Sequence, residues 1–203
     1  YSSPAIYKWT VDTTAPTLSI TSKPAPITNM KNADFSMTAS DSGSGIDTIE
    51  CQIDGGGYKP CLATVTYASL TDGNRKFDAR AKDRAGNTST PATYSWAIDT
   101  SKPTLNITSG PAPWVNVRVA SIAMTATDTN VATGLPPATI QCKLNSAPFA
   151  SCTSPVSYSG LLETSFTFVA RAIDAAGNIS DEANLSWGID LTPPAINFGK
   201  QPV

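Results

Sequence analysis

The stretch Phe77-Asp-Ala-Arg-Ala-Lys-Asp-Arg-Ala-Gly-Asn87 decides how the chain is read, because it returns as Phe168-Val-Ala-Arg-Ala-Ile-Asp-Ala-Ala-Gly-Asn178. Phe77, Ala79 and Ala81 alternate with Asp78, Arg80 and Lys82. That is the period of a strand with one buried face, and side chains as small as alanine predict a second sheet packed closely over it. Gly86-Asn87 then supplies residues that tolerate positive φ, so a reversal is expected there.

A second motif recurs around it. Tyr7-Lys8-Trp9-Thr10-Val11-Asp12, Tyr94-Ser95-Trp96-Ala97-Ile98-Asp99 and Leu185-Ser186-Trp187-Gly188-Ile189-Asp190 are three copies of one strand, with the tryptophans 87 (96 minus 9) and 91 (187 minus 96) residues apart. This period defines a repeat. Residues 1–12 read as the last strand of a preceding repeat, 13–99 and 100–190 as two complete repeats, and 191–203 as a linker and the start of another. Within each, Leu18 and Ile20 match Leu105 and Ile107, while Phe35, Met37 and Ala39 match Ile122, Met124 and Ala126. From Cys51 onward the offset is 91, which places a four-residue insertion in the loop 129–141, with its Pro136-Pro137.

Composition agrees: 16 Pro, 13 Gly, only 15% charged residues and no apolar window of helical period. Many short strands joined by turns are predicted. The chain is expected to be all-β, folded as two tandem seven-stranded immunoglobulin-like β-sandwich domains.

Four cysteines form two pairs of equal spacing, Cys51 with Cys61 and Cys142 with Cys152. If the third strand turns back on itself, Ile53 faces Lys59 and Cys51 faces Cys61, within reach of a cross-strand bridge. Three connectivities are formally possible, and one bridge per repeat respects the repetition. The alternative, one zinc on four cysteines, lacks the short C-x2-C spacing of such sites. Disulfides point to an oxidising compartment: the exterior, the cell surface or the periplasm.

The linker Val11-Asp12-Thr13-Thr14-Ala15-Pro16, the stretch Ala81-Lys82-Asp83-Arg84-Ala85-Gly86-Asn87 and the Tyr-x-Trp-x-Ile-Asp strand together resemble the bacterial immunoglobulin-like repeats strung along large surface proteins and adhesins. The resemblance covers essentially the whole chain. It implies a non-catalytic module of a bacterial cell-surface or secreted protein, acting as an adhesin stalk or as part of the adhesive surface. Two departures stand out. The antibody-type pattern, a disulfide joining the two sheets and a Trp on the third strand, is missing, since here the cysteines sit in one hairpin and the Trp on the final strand; and the hairpin cysteines separate the chain from the many bacterial repeats that lack cysteine. The other functional class to weigh is an accessory carbohydrate-binding or spacer module of a secreted hydrolase.

Strands of alternating direction bring the start of the first strand and the ends of the second and sixth to one pole. Asp12, Asp41 and Asp83 are therefore expected to converge in the first repeat, and Asp99, Asp128 and Asp174 in the second. Three carboxylates with turn carbonyls, and Asn87 or Asn178 beside them, suit Ca2+ at the joints between repeats. The competing reading is that each Asp hydrogen-bonds its own turn.

Enzyme chemistry finds little support. The chain has no His, which removes the usual general base, and the acidic residues that recur are turn or linker positions apart from the approximate pair Asp72/Glu163. A net charge of −2 with scattered Lys and Arg offers no phosphate-binding patch, so nucleic acid is excluded as a partner. No apolar run reaches the ~20 residues of a membrane span. Expected partners are neighbouring repeats of the same chain and a host or target cell-surface protein or glycan. Where the repeats differ, Trp114 replaces Ile27 and Phe149 replaces Tyr58. Trp114 is expected to cover a sheet edge or a domain junction, with sugar binding as its alternative role.

Overall fold

The computed structural model describes residues 2–129 and 137–196, so most of the predicted insertion (130–136, with Pro136) and residues 197–203 lie outside the described residues. The chain divides into two compact units, one ending at Thr100 and the other beginning at Ser101. Every described element is a strand, bend or turn.

The first unit contains β1 (Thr17–Ser22), β2 (Ile27–Thr28), β3 (Ala33–Ser40), β4 (Ile46–Ile53), β5 (Lys59–Cys61), β6 (Thr64–Tyr67), β7 (Gly73–Asp83) and β8 (Ala92–Ile98). They form a three-stranded sheet in the order β1-β3-β6 and a five-stranded sheet in the order β2-β8-β7-β4-β5. The second unit repeats this with β9 (Thr104–Ser109), β10 (Trp114–Val115), β11 (Val119–Thr127), β12 (Thr139–Leu144), β13 (Ala150–Ser151), β14 (Val156–Ser159), β15 (Ser165–Ile173) and β16 (Ala183–Ile189). Its sheets run β9-β11-β14 and β10-β16-β15-β12-β13. Seven strands were expected per unit, and the eighth segment comes from the first strand. Pro24 and Pro26, which lack N–H donors, separate β1 from β2, and β2 then runs parallel to β8 in the other sheet.

The core of the first unit lies between the two sheets. Phe77, Ala79 and Ala81 are fully buried, and Phe35 from the opposite sheet stacks on Phe77 at 4.0 Å between ring centroids. The alanines of β7 leave room for the Phe35 ring of β3 to approach this closely. Trp96 and Ile98 complete the layer. In the second unit Ile122 and Phe168 occupy the positions of Phe35 and Phe77, and Phe166 stacks on Trp187 at 5.3 Å. Residues 7–12 carry the same Tyr-x-Trp pattern but form no ladder, and Trp9 is 72% exposed where Trp96 and Trp187 are almost wholly buried.

Both cysteine pairs are bridged, Cys51–Cys61 and Cys142–Cys152, with Cα separations of 5.8 and 6.0 Å. The expected register is corrected by two residues. Cys51 pairs with Lys59 and Ile49 with Cys61, so the bridge runs diagonally across the hairpin instead of between directly opposed residues. The turn explains the shift. Asp54 (φ 51°) and Gly55 (φ 74°) reverse the chain inside an Ile53 O to Gly56 N hydrogen bond of 2.9 Å, and Gly57 and Tyr58 pass before pairing begins at Lys59. A slip of two residues leaves each side chain on the same face, so the alternation of β4 could not reveal it.

Candidate functional site

The reversal after β7 is built by reciprocal bonds between Asp83 and Asn87. The Asn87 N–H donates to Asp83 Oδ1 at 2.8 Å, Asn87 Nδ2 donates to Asp83 Oδ2 at 2.8 Å, and the Asp83 N–H donates to the Asn87 carbonyl at 3.0 Å. Gly86, at φ 99°, alone of the pair takes the left-handed conformation. Asn87 is thus present for its amide, a correction to the reading that it shares the positive-φ role. Asp174, Gly177 and Asn178 repeat the arrangement after β15, with carboxylate contacts of 2.8 and 2.7 Å.

Two residues on, Ser89 was not singled out by sequence, although Gly-Asn-x-Ser recurs. It is buried; its Oγ accepts from the Ala81 N–H at 3.0 Å and donates to the Thr90 carbonyl at 3.1 Å. Ser180 does the same with Ala172 and Asp181. Asn87 with Ser89, and Asn178 with Ser180, thus hold their own turns.

From this turn the first unit grips its incoming linker. Asn87 Nδ2 also donates to the Asp12 carbonyl at 3.1 Å and lies 3.4 Å from that of Thr14. Asp12 in turn accepts from Thr14 N–H at 3.0 Å and from Ser44 N–H at 2.7 Å. Bonds from the Ser44 side chain first, then from the Ser44 and Thr14 backbone, hold the Asp12 carboxyl below the usual carboxylate range. Gly43 has a specific duty here, because a Cβ at that position would stand 2.4 Å from Asp12 Oδ2. Asp41 closes the same loop, its Oδ2 accepting from Gly43 N–H at 3.0 Å and Gly45 N–H at 2.7 Å.

Asp12, Asp41 and Asp83 consequently share one pole of the first unit, each offering an oxygen within 4.8 Å of the others. Asp83 is buried, Asp12 and Asp41 partly so, and among the described residues no Lys or Arg forms an ion pair with any of them. Backbone N–H groups partly offset the three charges, while Asp41 Oδ1 is buried and accepts no hydrogen bond. An all-oxygen set with an orphaned buried carboxylate oxygen fits a hard cation such as Ca2+. In the second set Asp99 belongs to the first unit and Asp128 and Asp174 to the second, so only the first set lies within one unit.

The pair Asp72/Glu163 holds the outgoing linkers. Both Asp72 oxygens accept from Thr100 Oγ1 (2.9 and 3.1 Å) and Oδ2 also from Thr100 N–H at 3.0 Å; the Thr100 backbone bond is the main cause of a lowered Asp72 pKa. Glu163 Oε1 accepts from Leu191 N–H and Thr192 Oγ1, each at 3.0 Å. At the edge of the second unit, Trp114 pairs with Gly188 and is 68% exposed.

Compared with known proteins, the sequence matches no family model and no curated protein. Solved structures resemble it to different degrees. The fibronectin(III)-like modules of Clostridium thermocellum CbhA align at a TM-score of 0.53 with 14% identity, covering 90% of this chain and all of that one. Three N-terminal domains of the bacteriophage RB49 highly immunogenic outer capsid protein align at 0.49 with 10% identity, covering 88% of this chain and 71% of that one. The D00-D0 domain of intimin aligns at 0.37 with 13% identity, covering 83% and 98%. At 14% identity the likeness to the CbhA modules shows the fold alone: a tandem pair of immunoglobulin/fibronectin-III-like sandwiches.

Proposed function

We propose that this chain is a non-catalytic tandem module of a bacterial surface or secreted protein, serving as a load-bearing stalk or adhesive segment. The observation that carries this reading is that the linkers are tied to the units. Asn87 and Ser44 hold the incoming segment of the first unit, and Asp72 and Glu163 hold the outgoing segments of the first and second. A chain built to transmit force benefits from strands locked to their connections. Its disulfides suit an oxidising exterior, and among the described residues no helix is long and apolar enough to cross a membrane.

Pulling on the chain tests the proposal. Each unit should give its own unfolding event, and reductant should lengthen each event by roughly 35 Å, since a bridge hides ten residues at about 3.5 Å each. Units that yield without a resolvable event would count against a stalk.

The cation belongs to the same proposal, with Asp12, Asp41 and Asp83 binding Ca2+ where the linker enters. Thermal melts should then show the first unit stabilised by Ca2+ relative to EDTA. Identical melts, with no heat on titration, would remove the cation.

A further inference from the structure

The five-stranded sheet of the second unit carries an aromatic that its counterpart lacks. Trp114 pairs directly with Gly188, where Ile27 pairs with Ala97 in the first unit. The two differences form one adaptation. A Cβ at residue 188 would lie 2.4, 2.6 and 2.9 Å from ring atoms Cζ3, Cε3 and Cη2 of Trp114, so the indole rests on the strand only because Gly188 has no side chain. The ring is seated against backbone while 68% of the residue stays in solvent. An exposed indole with a built seat is unlike the scattered single apolar residues of an ordinary surface.

The surroundings mix apolar surface with polar groups. On one side a depression of about 210 Å³ is lined by the hydroxyl-bearing Ser165, Thr167 and Ser186, with Thr167 Oγ1 and Ser186 Oγ 3.3 Å apart. On the other, a hollow of about 440 Å³ carries Asn116, Val117 and Asp190. Asp190 is fixed at that rim: its N–H donates to the Val115 carbonyl at 3.0 Å and its Oδ1 accepts from Thr192 N–H at 2.9 Å. An apolar platform edged by a few oriented hydroxyl, amide and carboxylate groups matches a sugar, whose C–H face stacks on a ring while its hydroxyls bond at the rim. No Lys or Arg lines either hollow, and Asp190 disfavours an anionic ligand. At the corresponding place the first unit has Arg75 and Lys76 beside Ile27 and Ala97.

We propose that the outer face of the second unit binds a neutral oligosaccharide, with Trp114 as the stacking platform and Gly188 as the residue that seats it. The proposal rests on the reading of the chain as a surface or secreted module and gives that module a ligand class.

The first unit supplies variants compatible with the fold: Trp114→Ile and Gly188→Ala place its own residues at the matching positions. The full chain would be applied to an array of neutral and acidic glycans, and the leading neutral binder titrated while tryptophan fluorescence is followed. Binding should fall about tenfold or more in Trp114→Ile. It should weaken several-fold in Gly188→Ala, where the ring is lifted, and stay unchanged in Trp9→Ala, which removes an equally exposed tryptophan. Absence of neutral-glycan binding, a preference for acidic glycans, or full binding by Trp114→Ile overturns the proposal. Pulling on the same chain reads the stalk separately, so the failure of one reading is distinguishable from the failure of the other.

Discussion

Replacing Asp83 by Ala removes a buried carboxylate that accepts bonds from both the N–H and the amide of Asn87. Hydrogen bonds to charged groups contribute about 1.5–3 kcal/mol each, and part of that loss is returned because a carboxylate with no cationic partner no longer has to be desolvated. The net cost should be about 2–4 kcal/mol, a large share of the ~5–15 kcal/mol that typically holds a domain together. For a unit of this size that corresponds to a fall in Tm on the order of 10–25 °C. The assay is calorimetric melting of the full chain in EDTA, with Asp174→Ala as the reciprocal variant to identify which transition belongs to which unit. EDTA separates two roles for the same side chain. If Asp83 chiefly organises its turn, the deficit is present without Ca2+; if it acts only as a ligand, the deficit vanishes there. A shift below about 3 °C in EDTA, or equal movement of both transitions, would refute the argument that the turn depends on this carboxylate.

Other consequences follow from single contacts. Exchanging both Cys51 and Cys61 for Ala should lower the stability of the first unit by roughly 3 kcal/mol or less on the chain-entropy account, measured by urea unfolding, while mass spectrometry after alkylation without reductant shows no label on the native chain. Gly43→Ala should push Asp12 away from the Ser44 amide and raise the hydrogen-exchange rate there by tenfold or more, since the added Cβ would otherwise lie 2.4 Å from a carboxylate oxygen. The Asp72 clamp carries a pH dependence. Its folded pKa is depressed, so its contribution is complete above the ordinary carboxylate value near 3.8 and is lost as pH falls through the lower folded value. Exchange of the Thr100 amide, corrected for intrinsic rate, should therefore accelerate in that acid window for the native chain and already be fast at neutral pH in Asp72→Ala. Ser89→Ala strands the buried Ala81 N–H and should cost about 1–3 kcal/mol.

What the sequence discloses, it discloses through repetition and alternation. The burial of Phe77, Ala79 and Ala81 follows from period two, and the shared pole of Asp12, Asp41 and Asp83 follows from strand direction. Details invisible to those patterns were misread or missed. The diagonal Cys51–Cys61 bridge differs from a direct one by a two-residue slip that leaves every facing unchanged. Asn87 has the right chemistry for two tasks, positive φ and side-chain bonding, and only the folded turn distinguishes them. Gly43 reads as one more flexible loop residue until the Asp12 carboxylate is found against it. Trp114 and Gly188 stand 74 residues apart (188 minus 114), and their joint departure from Ile27 and Ala97 acquires meaning only once β10 is seen beside β16.

The central claim is that the linkers are parts of the folded units and not tethers between them. Amide ¹⁵N relaxation measures this directly at Thr14, Ser44 and Thr100. Order parameters near the ~0.85 of rigid backbone, matching those of β7, are predicted, whereas values below about 0.6 at Thr14 and Thr100 would mark freely moving joints and contradict the account.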